Sequence, residues 1–190
     1  MEMVNRVEIP VDTRLVDREV FRNVIGHFAS GVTVITTRYE EVTYGLTANA
    51  VSSLSLDPPM VVVCINKRTG TQTVISKAKV FAINILREDQ QAIARQFATP
   101  HPDKFRDIPI VCGELGVPFL SNMLATIECR VVGEVTGGTH AVFLAEVQAA
   151  HAEEGMPLAY YRGRMGKFIF PSDEGKAPLW RDVLQWEDYY

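Results

Sequence analysis

The sequence predicts an α+β domain, mainly β, built on an antiparallel barrel. Two observations predict it. The apolar periodicity runs in the order helix, hairpin, strand, helix, strand, helix, and then a series of strands. The chain has 190 residues, 47% of them hydrophobic and 22% charged, which suits one domain with a sizeable core. No internal repeat, low-complexity tract or linker divides it. The expected organisation is an N-terminal arm over 1–16, a domain over 17–170 and a C-terminal tail over 171–190.

Asp17 is placed to cap a helix in which Val20, Phe21, Val24, Ile25 and Phe28 recur at helical spacing, so one face is expected on a core. Gly31 is expected to end it. His27 reads as a partly exposed helical histidine. The β-branched run from Val32 to Thr37 predicts a strand, Tyr39 to Glu41 a turn, and Val42 to Ala48 the hairpin partner.

The most unusual stretch is Gly45 to Lys67. A run of small hydroxyl and amide residues, Thr47 to Ser55, precedes Asp57-Pro58-Pro59 and then an apolar strand from Met60 to Ile65. Small polar residues between strands leave backbone N–H groups accessible and suit a flat, polar-edged ring or a phosphate. A hairpin with a Ser-rich loop accounts for the same residues without any ligand. The prolines predict an extended lead-in. The strand lacks polar alternation, so both of its faces are expected to be buried.

Asn66 to Gln72 carries Lys67, Arg68 and Thr69 ahead of a short helix over Thr71 to Ala78. Cations and hydroxyls at a helix N-terminus suit a phosphate, and equally a solvated loop. Val80 to Leu86 predicts a buried strand, and Arg87 to Ala98 a helix with Ile93, Ala94 and Phe97 inward, stopped by Thr99-Pro-His-Pro102. The Pro-rich segment from Pro100 to Val117 is long enough for a crossover or lid. Met123 to Val132 and Ala141 to Val147 predict an antiparallel pair joined through residues 133–140, with Leu158 to Tyr161 as a last strand. The terminal aromatics, Trp180 to Tyr190, suggest packing on a partner subunit or a pocket mouth.

Composition excludes several functions. Nineteen basic against twenty-three acidic residues give a net charge of −4 with no basic stripe, which argues against nucleic acid. Three cysteines, Cys64, Cys112 and Cys129, lack metal-site spacing and argue against a disulfide framework and for a reducing cytoplasm, with Cys64 and Cys129 expected as buried thiols. No stretch has the length of a signal peptide or a membrane span. Hydrolytic elbows, zinc-protease helices and a Gly-x-Gly-x-x-Gly fingerprint are missing from the sequence, so no metal is expected.

Five ordered segments carry a resemblance: Gly31-Val-Thr-Val-Ile-Thr-Thr37, Gly45-Leu-Thr-Ala-Asn49, Ser53-Leu-Ser-Leu-Asp-Pro-Pro59, Phe81-Ala-Ile-Asn-Ile-Leu86 and Gly138-Thr-His140. From about Phe21 to Phe168 the chain resembles the flavin reductase-like family, the reductase component of two-component flavin monooxygenases. The resemblance implies an FMN-binding split barrel, usually a homodimer with flavin near the subunit interface. It implies an NAD(P)H:flavin oxidoreductase that reduces FAD or FMN and supplies it to a separate aromatic-hydroxylating monooxygenase. Such hydride transfer asks the protein mainly for positioning.

Residue by residue, the resemblance implies that Thr47, Ala48, Asn49, Ser52 and Ser53 contact the flavin ring and ribityl chain, and that Asn66, Lys67 and Thr71 receive the phosphate. Phe81, Ala82 and Asn84 would line the cofactor, His101, Lys104 and Phe105 approach the flavin edge, and Tyr161 and Arg162 close the site. His140 matches a histidine near the nicotinamide. Where the family commonly has Gly-Asp-His, this chain has Gly138-Thr139-His140, without the acid. Two other readings stay open, a tightly flavinated carrier or oxidase of the same fold and a non-enzymatic ligand-binding barrel.

Overall fold

A computed structural model describes residues 16–169. The tail expected at 171–190 and nearly all of the arm at 1–16 lie outside them.

The chain opens with α1 (Arg18–Ile25), where the Asp17 carboxylate accepts from the N–H groups of Glu19 and Val20 at 2.8 and 3.1 Å. Five strands and a helix follow: β1 (Ser30–Gly31), β2 (Thr33–Tyr39), β3 (Val42–Ala48), β4 (Val51–Leu56), β5 (Pro59–Asn66) and α2 (Gly70–Ala78). Then come β6 (Val80–Ile85), α3 (Gln91–Ala98), β7 (Ile110–Cys112), β8 (Pro118–Leu120), β9 (Ala125–Gly137), β10 (His140–Ala152), β11 (Leu158–Tyr161) and β12 (Arg164–Lys167).

Seven strands form one antiparallel sheet in the order β3-β2-β6-β9-β10-β5-β4. Its two edge strands, β3 and β4, are joined by Asn49 and Ala50 alone. Laid flat, those edges would stand about 29 Å apart at the usual strand spacing, whereas the three chain steps from Ala48 to Val51 reach only about 11 Å. The sheet therefore curls into a barrel, and within the link the Ala50 carbonyl accepts from Cys64 N–H of β5 at 2.9 Å, extending the β4–β5 ladder. This is the split-barrel α+β architecture that the sequence predicts. A small sheet, β1-β11-β12, and the hairpin β7–β8 lie outside the barrel.

The inner core holds Ile35, Val63, Ile65, Phe81, Ile83 and Phe143. A second cluster, with Val32, Val34, Leu86, Phe97 and Leu158, packs on the outside of the barrel. Strand β2 serves both, Ile35 facing one cluster and Val34 the other, which is why its β-branched residues Thr33 to Thr37 are all buried.

Several expectations are corrected. The apolar face of α1 has no core to cover it: Val24 is 63% and Phe28 75% exposed, because no other described element lies over that face. Gly31 does not end the helix, which stops at Gly26; Gly31 belongs to β1. The serine run is not a loop but the edge strand β4. Asp57-Pro58 forms the tight turn after it, with a cis peptide, instead of an extended lead-in. In β5 only Val61, Val63 and Ile65 are buried, while Met60, Val62 and Cys64 on the other face are half-covered, so Cys64 is not a core thiol. Helix α3 starts four residues later than expected, after Gln90. The last hairpin is longer than predicted: β9 and β10 run on to a turn of two residues, Gly138 and Thr139, where Gly138 takes φ 57°.

Candidate functional site

A cleft of about 680 Å³ opens between β3, the Asn49-Ala50 link, the end of β5, the start of α2 and the segment after α3. That size lies within the range of small-molecule sites, about 300–1,000 Å³.

Its floor is β3. Gly45 has no side chain there, and a Cβ on it would stand 2.6 Å from Cε1 of Phe97, so the glycine is what lets α3 pack down on the strand. Thr47 lies in the floor but spends its hydroxyl on the Ala94 carbonyl of α3 at 2.6 Å. Ala48 adds a small surface, and Asn49 reaches Ser30 Oγ at 3.2 Å through Nδ2.

One end is the β5–α2 loop. Asn66 organises it: its Oδ1 accepts from Arg68 N–H at 2.9 Å and its carbonyl accepts from the Thr69 hydroxyl at 2.8 Å. Thr69 then caps α2, accepting from Gln72 N–H at 3.3 Å. Arg68, Gly70 and Thr71 line the cleft here, the first turn of α2 has no acidic residue, and the helix dipole adds to the positive end.

The opposite wall follows α3 and is held firmly. Lys104 Nζ donates to Phe97 O at 2.8 Å and Gly45 O at 3.3 Å, and its burial there lowers its pKa from the usual lysine value. Gln96 Nε2 donates to the carbonyls of Lys104 and Arg106, and the Phe105 ring meets Phe97 edge-on at 5.0 Å. His101 lines the rim, with Nδ1 accepting from Asp103 N–H at 3.0 Å. So fastened, the segment is a fixed wall more than a lid.

His140 enters from the β10 end, paired in register with Asn66, and its Nδ1 is 2.9 Å from the Thr139 hydroxyl. Lys67 does not line the cleft; its Nζ donates to Gly138 O at 2.9 Å.

A second groove of about 1020 Å³ adjoins the first and shares Asn49, Ala50 and Cys64 with it. Ser52 and Arg162 line this groove, together with Arg22 and Phe28. Arg162 sits at φ 48° in the β11–β12 turn and ties it to α1, its N–H donating to Gly26 O at 3.0 Å. Ser53 is exposed on β4, and Tyr161 stands edge-on to His27 at 6.2 Å; neither lines either cleft.

Phe81, Ala82 and Asn84, expected to line the cofactor, line neither cleft. All three are fully buried on the central strand β6, whose two faces are covered by the barrel interior and by the β7–β8 layer. Asn84 is a structural bridge: Nδ2 donates to Val34 O and to the Thr36 hydroxyl, both at 3.0 Å, and Oδ1 accepts from Leu120 N–H at 2.8 Å.

Cys64 and Tyr44 line the cleft without having been singled out for it. Nothing in an apolar strand marks which face meets a cavity, so Cys64 carried no signal. Tyr44 lies on β3 three residues from Thr47, and strand alternation sets those two on opposite faces, so it carried no signal either.

The donor set fits a flavin. A glycine-lined floor, a phosphate-sized positive end at α2 and a polar edge at Asn49 are complementary to a flat ring bearing a phosphorylated chain. Among the described residues no three His, Cys, Asp or Glu side chains group to hold a metal ion, and no helix is long and apolar enough to cross a membrane.

Residues 25–168 match the flavin reductase-like domain family. The chain is 52% identical over 153 residues to the reductase component of a 4-nitrophenol 4-monooxygenase/4-nitrocatechol 2-monooxygenase of Rhodococcus opacus, covering 80% of this chain and 82% of that one. It is 37% identical to an NADH-dependent FAD reductase of Streptomyces globisporus, over 85% and 91% of the two chains. In structure it is similar to a homologue of nitrilotriacetate monooxygenase component B from Mycobacterium thermoresistibile, with a TM-score of 0.80, 34% identity and coverage of 88% and 95%.

Proposed function

The chain belongs to the flavin reductase-like family, and on that premise we propose that it is an NADH-dependent flavin reductase, reducing FAD or FMN and supplying reduced flavin to a separate monooxygenase component. The observation that carries this reading is the cleft itself: a glycine floor, a positive helix end and two histidines, His101 and His140, with no acidic side chain in the lining and, among the described residues, no metal set. The bound flavin and nicotinamide supply the redox chemistry, hydride passing from one ring to the other.

The chain's own residues bind, orient and exclude water. The helix end at Arg68 to Thr71, with Asn66 shaping the loop, receives the phosphate. Thr47, Ala48 and Asn49 support the ring, and the wall of Lys104 and Phe105 shields one side. His140 faces the nicotinamide. The reductases named among its relatives use NADH, which supports NADH over NADPH here. The aromatic substrate of the Rhodococcus opacus system supports an aromatic-hydroxylating partner.

The protein acts in the cytoplasm as a homodimer. The exposed apolar face of α1 supports that assembly, since four large apolar side chains in water on one helix, with Phe28 just beyond it, are unusual in a monomer.

The test is NADH oxidation with FAD, FMN and riboflavin supplied in turn, alongside the spectrum of the purified protein. Flavin-dependent turnover by a colourless protein is expected. Absence of turnover with either nicotinamide overturns the reading, and a yellow protein with retained flavin favours a carrier.

A further inference from the structure

The β9–β10 turn has a geometry that binding a flavin does not by itself require. Both of its residues are held by one residue from outside the hairpin, through its backbone and its side chain. Lys67 N–H donates to Thr139 O at 3.0 Å, and Lys67 Nζ donates to Gly138 O at 2.9 Å. The next residue is His140, whose Nδ1 lies 2.9 Å from the hydroxyl of Thr139. One short path of hydrogen bonds therefore runs from the β5–α2 loop, through the turn, to the imidazole in the cleft.

Two roles compete for Lys67. As a phosphate ligand it would add charge to the α2 end. As a clamp it fixes the turn. The structure separates the two, because Arg68 lines the cleft whereas Lys67 does not, and the Lys67 ammonium is already engaged on a carbonyl. A hydroxyl bonded to Nδ1 restricts rotation of the ring and leaves Nε2 as the nitrogen available to a bound molecule. His140 is also paired with Asn66 across the strands, so its backbone is fixed on that side.

We propose that Lys67 and Thr139 are positioning residues for His140, with Lys67 acting on the turn and not on the flavin phosphate. The proposal rests on reading the cleft as the flavin and nicotinamide site. It assigns to a hydroxyl, at this position, the orienting of a histidine.

The experiment compares Lys67→Met, Thr139→Val and Thr139→Ser with the wild-type full chain. FMN and riboflavin, which differ by the phosphate, serve as acceptors, and the imidazole nitrogens of His140 are followed by ¹⁵N NMR. Both substituted positions are exposed, and circular dichroism verifies the folds. Lys67→Met is expected to lower kcat about ten-fold with both flavins, leaving the ratio of their KM values unchanged. Thr139→Val is expected to shift the His140 nitrogen resonances and lower kcat similarly, and Thr139→Ser to restore both.

A Lys67→Met variant that loses affinity for FMN but not riboflavin makes Lys67 a phosphate ligand and overturns its part. Unchanged His140 resonances in Thr139→Val overturn the part of Thr139. If the wild type oxidises no NADH, the proposed function fails, and the ¹⁵N spectra still decide whether these residues position the ring.

Discussion

Gly45 and Phe97 are in direct opposition: the ring of Phe97 occupies the space that a side chain on Gly45 would need, with Cε1 2.6 Å and Cδ1 2.8 Å from the position of a Cβ. The Phe105 ring stands 3.3 Å from the same point. Floor and wall of the cleft thus meet over one missing side chain.

Gly45→Ala is expected to push both rings outward. Overpacking of this kind costs about 1–3 kcal/mol, measurable by urea unfolding. Because Lys104 donates to the carbonyl of Gly45, the wall should loosen too, and flavin KM should rise more than NADH KM.

Asn84→Leu is expected to destabilise the fold without a specific effect on flavin binding. It removes both donor bonds and the acceptor for Leu120 N–H, leaving buried groups unpaired at about 1–3 kcal/mol. A raised flavin KM with unchanged urea midpoint would instead put Asn84 at the site.

His140→Ala is expected to lower kcat/KM for NADH about ten-fold with little change in flavin KM. Steady-state oxidation with each substrate varied separately measures this, and an unchanged rate and KM remove His140 from the mechanism.

The three thiols should be distinguishable by labelling. Cys112 is exposed and is expected to react first, Cys64 more slowly and more slowly still when FMN fills the cleft it lines, and Cys129 last. Burial, and then the neighbouring Glu128 charge, raise Cys129 from an ordinary 9.0 to about 12. The sign follows: below pH 9 both folded and unfolded thiols are neutral, and between 9 and about 12 only the unfolded one ionises. Stability should therefore fall with rising pH across that window, by at most about 1.4 kcal/mol per unit. Urea unfolding of the wild type against Cys129→Ala isolates the contribution.

Much of the site was legible because its residues are contiguous. Thr47 and Ala48 end a hairpin strand with Asn49 after them, and Asn66 to Thr71 lead into a capped helix, so short contiguous segments resembling the family marked both. The cleft departs from the expected residues where the sequence shows a side chain's type but not which way it faces. Phe81, Ala82 and Asn84 belong to a segment matching the family, yet β6 lies at the sheet's centre and turns all three into core. Lys67 reads as a phosphate cation, and only the approach of the β9–β10 turn, more than 60 residues away in sequence, takes its ammonium.

The sequence by itself determined the order of the main helices and strands, the Asp17 cap and the family, because periodicity, capping and ordered motifs are local properties of the chain. The tertiary structure alone decided that β3 and β4 close the barrel through Asn49-Ala50, that the second groove shares Cys64 with the first, and that the apolar face of α1 is left in water. Each of these depends on strand register and on which surfaces meet, and long-range pairing of that kind is set by the packing of the whole chain.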